Sequence, residues 1–286
     1  MRRASQIEKE SVQIETVEDL TGVFESISST QVAKVKTKVE LSKQFFELIW
    51  KRYTSLRINP SERITQRDLG EGDTSNKTAF IVISAEAGLS GDIDQRLIET
   101  MLQSYNKDTT DIIMLGSHGA TQLKQRGIPF IRFFKVPETD SYIDVSPVIN
   151  AVANYSKIIV YYEEYVSLGV QGIKTIDLIS SMRDMSVEAE EDVMTAYDTI
   201  FEPSIEEIAD QMEMTMMRLA LSQSILESGL AQAASRFNAM AVAKKRAAEL
   251  LADYHMEFHR AKRSESDRRL REVMVSLKKK KHKVET

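Results

Sequence analysis

The sequence contains no cysteine, and its few prolines and glycines all but avoid the two ends of the chain. The lack of cysteine excludes disulfides and thiolate chemistry and fits a reducing compartment. All five prolines lie between Pro60 and Pro203, and nine of the eleven glycines lie between Gly70 and Gly172. Because these residue types interrupt helices, their distribution predicts a long helix at each end and a folded domain between them.

A long hydrophobic run and a secretory signal are missing as well. No stretch approaches the roughly 18 uninterrupted apolar residues of a membrane-spanning helix, so we expect no direct membrane span. The chain starts with Met-Arg-Arg and soon reaches the run Ile7-Glu8-Lys9-Glu10. This start has no apolar core, so we expect no secretory signal of the usual form.

The net charge of −5 combines an acidic segment at 184–213 with a basic end from Arg260 onward. Acidic residues at the start of a helix and basic residues at its end both favour the helix dipole, but the lysines at 278–281 are denser than this requires. We expect a solvated, frayed tail beyond Leu277, with contact to nucleic acid or an anionic membrane as the weaker alternative. No aromatic residue follows Phe258 to stack on bases, so we predict no nucleic-acid partner.

Apolar residues recur at intervals of three and four from Leu219 to Ala261, over about six heptads. This pattern predicts a coiled-coil helix and basic tail over 204–286, and a weaker pattern from Leu20 to Leu56 predicts a second coiled-coil helix over 1–58. Since the chain can return through the middle domain, we expect the helices to pair antiparallel within one molecule, with dimerisation as the alternative. Alanines concentrated between Ala231 and Ala248 indicate either favourable helix formation or a narrow shaft that another structure encloses.

The middle of the chain alternates short apolar runs with helical patterns. The runs predict buried strands at 79–84, 111–116, 129–134 and 157–162. The helical patterns lie at 92–105, 120–126 and 145–155. A further run at 175–179 predicts an edge strand, antiparallel to the preceding strand across a turn at Leu168 and Gly169. The alternation is typical of a Rossmann-like, mainly parallel α/β domain, which we place at 78–185 between a linker at 59–77 and an acidic linker at 186–203.

Two glycine pairs, at 88–91 and 116–119, follow predicted strands at the sheet edge where α/β enzymes bind phosphate. Neither pair has the spacing of a dinucleotide-binding or P-loop motif, so we interpret both as tight turns. We therefore predict no cofactor-binding site in this chain.

Side chains suited to catalysis or metal binding are also sparse. Ser117 and His118 are adjacent, so their side chains diverge and do not predict a catalytic dyad. His255 and His259 have the spacing of metal ligands on one helix face, but no His-Glu-x-x-His motif accompanies them. We predict neither a catalytic nor a metal site.

Four segments together resemble the gamma subunit of F-type rotary ATP synthases. Residues 84–94, Ser-Ala-Glu-Ala-Gly-Leu-Ser-Gly-Asp-Ile-Asp, are similar to the family's Ser-x-Asp-Arg-Gly-Leu-Cys-Gly-x-Leu-Asn segment, and 113–119 are similar to its second strand and Gly-x-Lys-Gly turn. Residues 197–204 resemble its Tyr-x-Tyr-Glu-Pro-Ser, and 235–240 resemble its Ala/Ser-Arg-Met-x-Ala-Met. The order and spacing of the four segments hold over nearly the whole chain.

The sequence departs from the family pattern at several points. Ala87 and Asp94 stand where the family has arginine and asparagine, and Phe24 precedes Glu25 where methionine is usual. Residues 261–267, Ala-Lys-Arg-Ser-Glu-Ser-Asp, replace the usual Ala-Arg-Gln-Ala-x-Ile-Thr ahead of a lysine-rich tail. These departures indicate a divergent or alternate subclass of rotary ATPase.

The resemblance implies a central-stalk rotor, a non-catalytic subunit of a CF(1)-type catalytic core that couples proton or sodium transport to ATP synthesis or hydrolysis. The helices of such a rotor enter a ring of alpha and beta subunits, and its α/β domain meets the epsilon subunit and the membrane c-ring. It is a peripheral membrane protein on the cytoplasmic face of a bacterial or archaeal membrane, or the organellar equivalent. The candidate ring contacts, which are alternatively solvated helix flanks, are Phe24, Glu25, Arg236, Met240, Lys262 and Arg263.

Two other functions stay open at this point. A coiled-coil adaptor that carries an α/β domain would self-associate through its long helical pattern. An α/β phosphate-binding enzyme would bind a ligand as an isolated chain.

Overall fold

The computed structural model describes residues 2–55, 75–136, 143–178 and 205–284. The chain divides into two compact units, one of Met1–Ile27 with Asn238–Thr286 and the other of Ser28–Phe237. The predicted linker at 59–77 as far as residue 74, the predicted acidic linker at 186–203 and the family-like segment at 197–204 lie outside the described residues.

Helix α1 spans Ala4–Ser55, and the last helix, α5, spans Ile205–Val284. Both predicted terminal helices are therefore confirmed. The prediction that the last helix frays beyond Leu277 is wrong for the backbone, which stays helical through Val284. Repulsion between like charges on a helix amounts to only a few tenths of a kcal/mol per pair, too little to end a helix of favourable residues.

In the first unit the two helices pair antiparallel. The backbone N–H of Ala4 donates to Glu265 Oε1 at 3.2 Å, and Lys244 Nζ donates to Glu25 Oε2 at 3.0 Å. The two contacts are 21 residues apart along each helix, from 4 to 25 and from 265 back to 244, so the helices run in opposite directions in register. Ile7 is buried in this pairing unit. Antiparallel pairing within one molecule is confirmed.

In its described residues, the second unit contains a five-stranded sheet and three short helices beside parts of α1 and α5. The strands are β1 Ser75–Ile83, β2 Thr110–Leu115, β3 Arg132–Phe134, β4 Tyr155–Tyr165 and β5 Gln171–Asp177. The helices are α2 Ile93–Ser104, α3 Ser117–Gln125 and α4 Ser146–Val152. The strand order is β3-β2-β1-β4-β5, with parallel pairing except between β4 and β5. The predicted helical pair with an inserted, mainly parallel α/β domain is confirmed.

Two elements are shorter than the sequence pattern predicts. The strand predicted at 129–134 is reduced to β3, because Pro129 has no N–H to donate to a sheet ladder. The helix predicted to reach Tyr155 ends at Val152, and Tyr155 instead begins β4, where it pairs with Ser75 of β1. A proline thus limits the first element, and pairing with a distant strand limits the second.

Both faces of the sheet are covered, so successive residues of a strand enter different cores. On β1, Ile81 and Ile83 face a core that also contains Phe46 of α1 and Leu221 of α5. The alternate residues Phe80 and Val82 face a core made with α2 and α3. Burial on both faces explains why these strands read as continuous apolar runs. Among the described residues, no helix is both long enough and apolar enough to cross a bilayer.

Candidate functional site

A buried polar network occupies the carboxyl edge of the sheet, and Asp94 in the first turn of α2 is its centre. Asp94 Oδ1 accepts from the backbone N–H of Ala85 at 2.8 Å. Asp94 Oδ2 accepts from Ser90 Oγ at 3.0 Å and lies 2.8 Å from His118 Nδ1. The Asp94 side chain is buried, while about a third of His118 is exposed. One carboxylate thus ties together the end of β1, the loop after it, α2 and α3.

A second buried carboxyl, Glu163 of β4, links the sheet to α5. Ser228 Oγ lies 3.2 Å from Glu163 Oε2 and 3.4 Å from the carbonyl oxygen of Ile83, and Gln232 Nε2 donates to Ser228 Oγ at 3.0 Å. Glu163 is fully buried. Burial, together with the negative charge of Asp94, raises the pKa of Glu163 well above its usual range.

The loop after β1 is held to the next turn of α5. Ser235 Oγ donates to the carbonyl of Ser90 at 2.7 Å, and Arg236 Nη2 donates to the carbonyl of Ala87 at 3.3 Å. Burial lowers the pKa of Arg236, and the charges of the two nearby carboxyls oppose that effect. The family-like segments around 84–94 and 235–240 therefore contact each other in the fold.

Between these two anchor points the loop presents an apolar residue to solvent. Leu89 has φ +70°, a left-handed conformation that is uncommon for a bulky residue. Its side chain is nevertheless 56% exposed. A strained residue that holds an apolar side chain outward is a candidate contact with another protein.

The glycine turn at 116–119 serves close packing instead of phosphate binding. A Cβ on Gly116 would lie 2.1 Å from the carbonyl oxygen of Ser84, and its φ of +99° favours glycine. The backbone N–H of Gly116 donates to a carbonyl of β3, that of His118 to Ala85, and that of Gly119 to Ser84 Oγ. Because these amides already have acceptors within the chain, the turn does not favour a bound phosphate.

The side chains considered for catalysis or metal binding have separate surroundings. Ser117 Oγ donates to Glu86, whereas His118 binds a different carboxylate, so the two side chains diverge. His255 and His259 are both exposed on α5. Within the described ranges, no cluster of three potential metal ligands is found.

Three of the six predicted contact residues face outward. Phe24 is 38% exposed, and Lys262 and Arg263 are exposed on α5. Lys262 Nζ lies 5.6 Å from the centre of the Phe258 ring, which is a cation–π distance. These three side chains are available to a partner, and their role stays a prediction.

The other three predicted contact residues have partners inside the chain. Glu25 binds Lys244, and Arg236 binds the carbonyl of Ala87. Met240 is only 6% exposed. The structure therefore does not bring the six residues together into one site, and a ring contact through these three stays a prediction.

The start of the alanine-rich part of α5 is enclosed by the chain itself. Five consecutive residues, 230–234, are buried, and they include Ala231, Ala233 and Ala234. Because a helix turns once in 3.6 residues, no face of the helix is free there. The idea that these alanines form a bare shaft for another structure to enclose is wrong at this stretch.

The bare part of α5 lies further along, at 266–277, where every residue is exposed. This stretch follows the part of α5 that Ala4, at the start of α1, contacts through Glu265. Its exposed large apolar side chains are Leu270, Val273, Met274, Val275 and Leu277. Apolar side chains at this density on a helix indicate a surface that another protein covers.

Sequence reasoning missed the buried polar network. In the sequence, Asp94 stands out only as a departure from the family pattern, and no motif contains Glu163, Ser228 or Gln232. A signal was present, since Glu163 directly follows the apolar run at 157–162, and Ser228 and Gln232 stand four residues apart in an alanine-rich helix. Polar residues in such apolar surroundings, on one helix face, indicate a buried hydrogen-bonded pair.

Comparison with known proteins gives matches that span the chain. A family model described as ATP synthase matches residues 3–277. An ATP synthase gamma chain of Alkaliphilus metalliredigens is 23% identical over 270 residues, which cover 91% of this chain and 93% of that relative. An ATP synthase gamma chain of Malacoplasma penetrans is 22% identical over 288 residues, which cover 97% and 99%.

Two solved structures show a similar fold. The rotor of the Euglena gracilis mitochondrial ATP synthase has a TM-score of 0.63 at 13% identity, covering 91% of this chain and 98% of that chain. The central stalk and c-ring structure of the Tetrahymena thermophila mitochondrial ATP synthase contains a chain with a TM-score of 0.56 at 14% identity, covering 78% and 99%. At this identity the likeness is one of fold.

Proposed function

Since this chain belongs to the ATP synthase family, as a gamma subunit of the central stalk, we propose that it couples ion flow through a membrane ring to ATP synthesis or hydrolysis in an alpha–beta catalytic ring. The observation that carries this proposal is the bare end of α5 at 266–277, which exposes five large apolar side chains. A ring of subunits that closes around the end of a helix buries such a surface on all sides.

The proposed mechanism is mechanical. A rotor controls the conformation of a catalytic subunit only if its faces bind the open and closed states of that subunit with different free energies. The outward side chains differ around the helices: α1 exposes apolar Leu20, Phe24 and Ile27, whereas α5 exposes the cations Lys262 and Arg263. As the rotor turns, each catalytic subunit meets these different surfaces in sequence.

We further propose that the α/β domain, at 78–185, meets the epsilon subunit and the membrane c-ring, which makes the chain a peripheral membrane protein on the cytoplasmic face. The Euglena rotor and the Tetrahymena central stalk with its c-ring, named above, support contact with a c-ring. The transported ion is a proton or sodium.

The alternative of an α/β phosphate-binding enzyme has less support, because the amides of the 116–119 turn already have acceptors within the chain. We expect the purified chain to hydrolyse no ATP and to give no heat of ATP binding in calorimetry. Micromolar binding of ATP by the isolated chain would favour the enzyme.

Reconstitution tests the proposal. Vesicles that contain the membrane ring are combined with alpha, beta and the accessory subunits, with or without this chain, and ATP-driven ion uptake is measured alongside ATP hydrolysis. We expect ion uptake only when the chain is present. Equal uptake in both preparations would rule the proposal out.

Two variants test which part of the chain forms the coupling surface. Deletion of 278–286 should leave assembly and coupled uptake unchanged, because the exposed apolar side chains precede it. Replacement of Phe237 and Met240 by aspartate should prevent assembly, because Met240 is buried in the helix pair and a charge there is strongly unfavourable.

A further inference from the structure

Glu163 has one carboxyl oxygen without a hydrogen-bond donor among the described residues. Its Oε2 lies 3.2 Å from Ser228 Oγ, while its Oε1 is buried and has no donor. A buried oxygen of this kind carries the full cost of losing water, and a charged carboxylate carries more of it than a neutral acid. The geometry therefore favours a form of Glu163 that is itself a donor.

The neighbour that interacts with Glu163 by charge is also an acid. Asp94 has three hydrogen-bond partners, Ala85 N–H, Ser90 Oγ and His118 Nδ1. A carboxylate has about four lone-pair sites, which leaves one for a further donor. Asp94 acts on Glu163 by charge and by a side-chain hydrogen bond, and two acidic groups in such contact are best accommodated when they share one proton.

Charged and titratable groups surround this pair from several elements. His118 of α3 donates to Asp94, and Arg236 of α5 lies within the range of both carboxyls, although its Nη2 donates to a carbonyl. Tyr162 and Glu164, the residues on either side of Glu163 on β4, both interact with Glu227 of α5. Lys174 of β5 pairs with Glu164 at 3.1 Å. Among the residues that the structure describes, the cation that interacts with Glu163 by charge is Arg236.

We propose that Glu163 keeps its proton in the folded chain and shares it with Asp94, and that this joint, a carboxyl pair bonded to Ser228 and through it to Gln232, is a positioning element that fixes α5 to the sheet. The joint is next to Ser235 and Arg236, which fix the following turn of α5 to the loop after β1. The claim that this joint transmits rotation rests on the proposed function. The claim that Glu163 and Asp94 share a proton is independent of it.

The first test compares the wild type with Glu163→Gln in the full chain. A carboxyl that holds its proton more tightly in the folded chain stabilises the fold at low pH, and this contribution is lost as the pH rises through its folded pKa. Glutamine keeps an acceptor for Ser228 and an N–H donor for Asp94 without titrating. We expect similar melting temperatures at pH 5 and an advantage for Glu163→Gln that grows to about 3 °C or more by pH 9.

The matched control is Glu164→Gln, the same change at the next residue, where the side chain is partly exposed and pairs with Lys174. The control should show no advantage that grows with pH. A second readout is infrared absorption, in which a protonated carboxylic acid has its own carbonyl band. That band should be present in the wild type at pH 7 and lost in Glu163→Gln. A constant difference between the melting temperatures at all pH values, or no loss of the band, would overturn the shared proton.

The reconstituted complex tests the positioning role. We expect Glu163→Ala, which removes the joint, to lower the ions transported per ATP hydrolysed by roughly twofold or more, and Glu163→Gln to retain the wild-type ratio. If Glu163→Ala keeps the ratio while the wild-type chain couples normally, the positioning role is wrong although the proposed function stands. If the wild-type chain itself fails to couple, the proposed function fails, and the pH and infrared tests on the isolated chain still decide the shared proton.

Discussion

Residues 230–234 and residues 266–277 belong to the same helix, yet the first stretch is buried on every side and the second is exposed throughout. The buried stretch is Leu-Ala-Gln-Ala-Ala, and the exposed stretch contains five large apolar side chains. Hydrophobicity by itself therefore does not determine which of these residues are buried. Small side chains let neighbouring elements close around a helix, whereas large apolar side chains left in solvent mark a surface for another protein.

The largest expected effect comes from placing the same charge in both stretches. Leu230 is 2% exposed and Leu270 is 62% exposed, so Leu230→Asp buries a charge and Leu270→Asp does not. We expect Leu230→Asp to lower the free energy of unfolding by roughly 4 kcal/mol or more and Leu270→Asp to change it by less than about 0.5 kcal/mol, measured by urea denaturation. Equal losses of unfolding free energy in the two variants would contradict the conclusion that one stretch is buried and the other exposed.

The second prediction concerns assembly. If another subunit covers the bare stretch, replacing Val273 and Met274 by serine should weaken association with the alpha–beta ring by about 2–4 kcal/mol, because each side chain loses its burial. The isolated chain should unfold as the wild type does, since both side chains are exposed in it. Binding is measured by titration of the chain into the alpha–beta assembly. Unchanged affinity would mean that 266–277 is not the covered surface.

The third prediction tests whether side-chain size controls the buried stretch. Ala234 is fully buried and Ala252 is exposed on the same helix. Ala234→Leu should lower the free energy of unfolding by about 1–3 kcal/mol through overpacking, and Ala252→Leu should have almost no effect. Thermal and urea unfolding of the two variants measure the difference. A neutral Ala234→Leu would show that the enclosure of α5 is loose.

The smallest expected effect concerns the ion pair between the paired helices. Glu25 and Lys244 are partly exposed, so a double-mutant cycle of Glu25→Gln and Lys244→Met should give a coupling of about 0.2–1 kcal/mol. The coupling should decrease as salt concentration rises, because exposed charges are screened. A coupling that is large and independent of salt would indicate that this pair is buried more deeply than its exposure indicates.

Local sequence features determined where the long helices lie and which runs form strands. Proline and glycine are confined to the middle of the chain, and the spacing of apolar residues within a single segment sets helix or strand, so these features need no distant contact. The antiparallel pairing of the ends followed from the same reasoning, and Lys244 with Glu25 confirms it.

Only the tertiary structure decided which polar residues meet. Asp94, Glu163 and Ser228 come from three elements more than 60 residues apart along the chain, and no local pattern specifies that they share one buried pocket. The same holds for Ala231 and Ala234, whose burial depends on neighbours and not on their own hydrophobicity. The type of a residue determines which interactions it makes once it is buried. Whether it is buried depends on the packing of distant elements, because long-range contacts depend on topology.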